Sequence, residues 1–206
     1  MLFSDTYRTI AAPTEGDFRD RGSKFLAFAY PIQDEIRAKK YLDMLRQQHP
    51  KANHYCYAWR LSLDRSVFRV NDDGEPSGSA GRPILNTIYA HDRPDNPLTN
   101  LLVVVVRYFG GTLLGVPGLI NAYKMATAAA LDQAAIVDDV LTDTLRLRFA
   151  FGQMNEVMRM VKGQGLTVLK QDFDTACVLD ITVRKTLTNS VLNRLSVLRE
   201  VEVREV

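Results

Sequence analysis

This 206-residue chain predicts an α+β fold in two domains, on three observations. Leu101–Tyr108 is a run of β-branched and apolar residues with the continuous character of a strand buried on both faces. All eight prolines lie at or before Pro117, so an irregular first part gives way to a more regular second one. Beyond residue 140 the hydrophobic period switches in the order β-α-β-β-α-β, the split motif of ferredoxin-like domains. The boundary is placed between residues 138 and 139, in the short acidic and polar link Asp138–Asp143, giving domains 1–138 and 139–206.

Taken in order, residues 1–21 read as a polar lead-in with one short strand. Lys24–Tyr30 is a strand stopped by Pro31. From Asp34 to Gln48, Ile36, Tyr41, Leu42 and Leu45 fall near one helical face, with Arg37, Lys39, Lys40, Asp43 and Arg46 on the others. Asn53–Leu61 alternates, placing Tyr55, Tyr57, Trp59 and Leu61 on one side and His54, Cys56, Ala58 and Arg60 on the other. The aromatic stripe either stacks on bases, as in RNA-binding sheets, or packs beneath helices; aromatics in strands are first of all core residues. Ser66–Asn71 completes a hairpin, and Ile84–His91 is a short helix. After the organising strand, Leu119, Tyr123, Ala126 and Ala130 form one helical stripe. In the second domain, Thr144–Ala150, Leu166–Lys170 and Thr175–Val183 are strands, the last two separated by a turn holding Asp172 and Asp174. Met154, Val157, Met158 and Val161 mark one helix there, and Leu187, Val191, Leu192 and Leu195 another. Val201 and Val203 belong to a last strand. Arg146, Arg148, Lys170, Glu202 and Arg204 share its open sheet face, as an RNA-binding surface or, given the mixed signs, a cross-strand charge ladder.

Charge narrows the function. The net charge is +2, with 16 basic and 15 acidic residues in 1–138 and 10 and 9 in 139–206, so neither half is a basic module of the kind that holds nucleic acid without regard to sequence. Cys56 and Cys177 sit in separate strand-like runs without Cys-x-x-Cys spacing and read as reduced core thiols. The start of the chain lacks a signal-peptide pattern, and no apolar run reaches membrane-spanning length. A cytoplasmic chain with no membrane partner is the expectation.

Two glycine loops stand out. Residues 71–83 contain Gly74, Gly78 and Gly81, and residues 110–118 contain Gly110, Gly111, Gly115 and Gly118, so seven of twelve glycines fall in two short stretches. The second loop joins the buried strand to a helix whose first turn accommodates Pro117, a junction that points free N–H groups outward. Neither nucleotide-binding template fits, since no Lys-Ser/Thr follows and no Gly-x-Gly-x-x-Gly occurs. Asp72, Asp73 and Glu75 invite a divalent cation, yet Pro76 occupies the place a calcium loop reserves for glycine. A turn with Gly74 left-handed and the Asp side chains bonded to local N–H groups is the simpler reading.

Asn-Asp-Asp-Gly-Glu-Pro-Ser-Gly-Ser-Ala-Gly-x-Pro, followed by Val-Val-Val-Arg-Tyr-Phe-Gly-Gly-x-x-Leu-Gly-x-x-Gly-Leu-x-x-Ala-Tyr, closely resembles the IMPACT family in its bacterial two-domain form. The resemblance covers essentially the whole chain. One departure is Pro117-Gly118, where bacterial members carry Gly-Gly. The resemblance implies an N-terminal ribosomal-protein-S-five domain-two-like fold and a C-terminal ferredoxin-like domain. It also implies kinship with eukaryotic regulators of translation that bind the activator of the amino-acid-starvation kinase.

The sequence reading is therefore a non-catalytic, translation-associated protein that binds RNA, the ribosome or a translation-factor partner through both glycine loops, with no cofactor and no metal. Lys24, His54, Asp72, Asp73, Gly74, Glu75, Gly78, Gly81, Arg107, Tyr108, Gly110, Gly111, Gly115, Gly118 and Tyr123 form the candidate site. Its rivals are a protein-interaction module without RNA affinity and a metal-assisted hydrolase built on Asp72, Asp73 and Glu75.

Overall fold

The computed structural model describes residues 5–94, 96–173, 176–198 and 200–206. Contacts divide them into two units, one spanning Tyr7–Asp139 and the other Val140–Val206 together with Asp5 and Thr6.

In the first unit β1 (Thr6–Ile10) pairs with β7 (Ile136–Val140) in a two-stranded sheet. Between them come β2 (Thr14–Asp20), β3 (Ser23–Pro31), α1 (Glu35–Gln48), β4 (His54–Arg60), β5 (Phe68–Asn71), α2 (Gly81–Ala90), β6 (Leu101–Tyr108) and α3 (Gly115–Asp132). The five strands β2 to β6 make one antiparallel sheet in the order β2-β3-β6-β4-β5. The expected lead-in strand is thus two strands, and the hairpin β2–β3 turns through Arg21 and Gly22, both at positive φ, as a tight two-residue turn demands.

The central strand β6 is buried on both faces because each face has its own helical layer. Leu101, Val103 and Val105 pack with Ile84, Leu85 and Ile88 of α2 and with Leu119, Tyr123, Ala126 and Ala130 of α3. Leu102, Val104 and Val106 face Leu42 and Leu45 of α1 together with Tyr57 and Trp59. The aromatic stripe of β4 is therefore core, the second of its two readings. In α1, Asp34 caps the start by accepting the Arg37 N–H at 2.7 Å, and Ala38, Leu42 and Leu45 are buried. Ile36, expected on that stripe, is 68% exposed. At about 100° per residue it lies almost opposite Ala38 on the helix.

In the second unit the order is β8 (Thr142–Phe149), α4 (Met154–Gly163), β9 (Thr167–Asp172), β10 (Cys177–Arg184), α5 (Thr188–Leu195) and β11 (Glu202–Glu205). Its antiparallel sheet runs β11-β8-β10-β9. Leu145, Leu147, Phe149, Leu179, Ile181 and Val183 alternate inward against Val157 and Val161 of α4 and Val191 and Leu195 of α5. Leu187, expected on the α5 stripe, is 49% exposed in the turn before that helix. The expected strand start at Thr175 and the turn residue Asp174 lie outside the described residues. Of the expected link Asp138–Asp143, residues 138–140 run in β7 and 142–143 in β8, with Leu141 between them. Asp5 joins this unit, its carboxylate accepting two bonds from Arg184 Nε at 2.8 and 2.9 Å and the Thr186 hydroxyl at 2.5 Å.

Candidate functional site

Asp72 organises the first glycine loop from within. Its Oδ1 accepts the N–H groups of Ala80 at 3.1 Å and Gly81 at 2.8 Å, and its Oδ2 accepts that of Gly78 at 2.8 Å, so one carboxylate caps the start of α2 and closes the loop. Asp73 points away from it and accepts the Tyr55 N–H at 2.7 Å. Gly74 is left-handed at φ +86°, as the turn reading required, and its neighbour Asp73 offers its carbonyl to His54 Nδ1 at 2.8 Å. Glu75 turns inward and is buried. The three acids thus serve three separate partners, and among the described residues no three His, Cys, Asp or Glu converge as metal ligands.

The inward turn of Glu75 ties this loop to the end of β6. Its Oε1 accepts Arg107 Nη1 at 2.6 Å and the Tyr123 hydroxyl at 2.8 Å. Cys56 Sγ lies 3.2 Å from the Tyr123 oxygen and 3.0 Å from the Asp72 carbonyl, which closes a buried chain of polar atoms under both loops. Burial pushes the Cys56 thiol well up and the Tyr123 hydroxyl far above the ordinary phenol range, with Cys56 and Glu75 beside it adding to the shift. Both keep their protons at neutral pH. The Arg107 guanidinium lies between two rings, 5.3 Å from the Phe25 centroid and 5.6 Å from that of Phe109. At 5% exposure Arg107 is a core cation, not the surface contact for RNA that its place in the motif suggested.

The second loop has the opposite character. Gly110 is forced by close approach: a Cβ there would sit 1.9 Å from the Gly22 carbonyl carbon at the β2–β3 turn. The Phe109 N–H donates to Asn53 Oδ1 and the Gly110 N–H to Ser23 Oγ. Beyond them, among the described residues, the N–H groups of residues 111–114 have no hydrogen-bond partner, and no side chain caps α3. Leu113 is 82% exposed, and Phe109, Val116 and Ile120 are each at least 40% exposed. No charged residue occurs between Arg107 and Lys124.

The two loops therefore meet through Glu75; among the described residues the first keeps the Gly74 and Ser77 N–H groups open between bonded neighbours, whereas the second leaves four successive amides open. Arg107, His54, Glu75 and Tyr123 gather on the sheet face covered by α2 and α3. Lys24 and Tyr108 oppose each other in the β3–β6 register and occupy the other face, where the Tyr108 hydroxyl lies 3.0 Å from His49 Nδ1. Sequence reasoning missed the apolar residues of the second loop. Their signal is the uncharged stretch 108–123.

The sequence signature of the Impact N-terminal domain matches residues 21–131, more than half of the chain and all of the candidate site. This chain belongs to the IMPACT family. The IMPACT family member YvyE of Bacillus subtilis is 33% identical over 138 residues, covering 67% of this chain and 60% of that protein. An IMPACT family member of Haemophilus influenzae is 30% identical over 153 residues, 73% of this chain and 72% of its own. The crystal structure of a hypothetical protein superposes with a TM-score of 0.74 at 23% identity, over 99% of this chain and 98% of that one, so the fold is shared. No helix among the described residues of this IMPACT-family chain is long and apolar enough to cross a membrane.

Proposed function

We propose that this IMPACT-family chain is a non-catalytic, translation-associated protein that docks a protein partner through Phe109–Ile120. The second glycine loop carries the reading: four exposed apolar side chains on an uncharged stretch with unpaired amides suit insertion into an apolar groove that also offers acceptors. The first loop supports this surface without being part of it, since Asp72 takes three of its amides and Glu75 anchors the base of the second. Contact with RNA or the ribosome through the loops is the weaker alternative, because Arg107 is buried and Lys24 lies on the opposite sheet face. Hydrolysis by the carboxylates is weaker still, each being already committed to a partner. The translational setting comes from the family, whose eukaryotic members the resemblance describes as regulators.

Sedimentation of the tagged chain with the translation machinery, at low and high salt, tests this. Apolar docking survives high salt, whereas phosphate contacts weaken steeply with it. Co-sedimentation that persists at high salt and disappears in Leu113→Asp is expected. No association, or association lost with salt and indifferent to Leu113→Asp, overturns the reading.

A further inference from the structure

The second unit holds two adjoining cavities that the loop proposal does not use. One, of about 400 Å³, is lined by Arg148, Phe151, Phe173, Glu200 and Glu202 among others. The other, of about 330 Å³, lies over the open sheet face and includes Arg146 and Arg204. Arg148 and Glu202 line both, so the two are halves of one groove.

Opposite charges face each other across this sheet at Arg146–Asp180, Lys170–Asp180 and Arg148–Glu202, yet one like-charge pair remains. Arg204 stands directly opposite Arg146 in the β11–β8 register, and like charges facing across strands are destabilising. Asp180 relieves only one of them, binding Arg146 through 2.7 and 2.8 Å bonds. Among the described residues Arg148 and Arg204 form no ion pair, although Glu202 stands opposite Arg148. Beside these open guanidinium forks Phe151 is 75% exposed and Phe173 39% exposed.

The geometry points to a nucleotide site. A phosphate takes the forks of Arg148 and Arg204, for which bidentate arginine is the natural partner. A base stacks on Phe151 or Phe173, as planar rings do on exposed aromatics. Glu200 and Glu202 accept from a ribose hydroxyl or an exocyclic amino group. The sheet face thus offers a ligand surface through Arg148 and Arg204, beside the cross-strand charge ladder in which Asp180 holds Arg146.

A nucleotide comes either free or within single-stranded RNA, and the test separates these sources. The full-length chain is titrated with AMP, with a labelled hexa-adenylate RNA and with pyrophosphate, by backbone NMR and anisotropy. Shifts at residues 146–151 and 200–204 are expected. The bound nucleotide should weaken about tenfold in Arg148→Ala and Arg204→Ala and about fivefold in Phe151→Ala, with unchanged circular dichroism, as these side chains are exposed. Tighter binding of RNA than AMP, falling with salt, assigns a polynucleotide; equal binding assigns a free nucleotide. No binding of AMP or RNA overturns the site, and so does pyrophosphate binding that matches AMP and ignores Phe151→Ala. Leu113→Asp should bind as wild type, which keeps this outcome separate from that of the loop.

Discussion

Glu75 serves two donors at once, and both are buried with it. Removing it strands the Arg107 guanidinium between Phe25 and Phe109 with no counter-charge, and breaking one side of a buried pair costs about 3–5 kcal/mol. Glu75→Ala should therefore shift the urea unfolding midpoint strongly, while a double change of Glu75 and Arg107 to apolar residues of similar volume should recover much of the loss. A double variant as unstable as Glu75→Ala would mean that packing, not the uncompensated charge, dominates. Arg107 also marks where sequence reading fails at this scale. Its place at the end of a buried strand, next to glycines, looked like a ligand contact. Which face it takes follows from alternation, since Val105 already faces α2 and α3, but which acid meets it depends on a loop folded from 32 positions away.

Among the elements, those with a strong period were legible and those whose residues are shaped by a neighbour were not. β6, α3 and the strands and helices of the second unit stood out because their apolar sets repeat at 2 or near 3.6. The lead-in 1–21 reads as one strand and holds two, because the polar alternation of β2 is that of an edge strand. Its Gly16 shows what decides that strand instead. A Cβ there would fall 2.3 Å from the Ala130 nitrogen, so β2 lies directly on the α3 backbone. Gly16→Ala should push the strand off the helix and destabilise the protein by about 1–3 kcal/mol, as overpacking does. Gly163, the last residue of α4, has nothing within 4 Å and no positive φ, so Gly163→Ala should instead add up to about 0.5 kcal/mol, less than in a helix interior. Thermal unfolding of the two variants checks both signs, and a stabilised Gly16→Ala would contradict the packing argument. The candidate site was half legible for the same reason. Glycine density located both loops, but not that Asp72 closes one of them while the other stays open.

For the molecule as a whole, the sequence reading places the beginning of the chain wholly in the first domain, whereas the contacts group Asp5 and Thr6 with residues 140–206. The contacts of Asp5 lie with Arg184 and Thr186, and no local pattern announces an ion pair across 179 positions. The hydrogen bonds from Arg184 hold the Asp5 carboxyl below the ordinary carboxylate range, against the opposing effect of burial. A carboxyl whose pKa is lowered on folding contributes its full stability above the unfolded value, near 3.9, and loses it as pH falls toward the folded one. Hydrogen exchange at the β10 amides should accordingly quicken between neutral pH and about pH 3 more in the wild type than in Asp5→Asn, after correction for intrinsic rates. Equal acid sensitivity in the two would show that Asp5 contributes nothing to this unit.

That ion pair also imposes an order on synthesis. Translation delivers the acid 179 positions ahead of its arginine, so the second unit closes only after the first has been made. A product cut short before Arg184 would present the acid without its mate, and a fragment begun at Val140 would present the arginine alone.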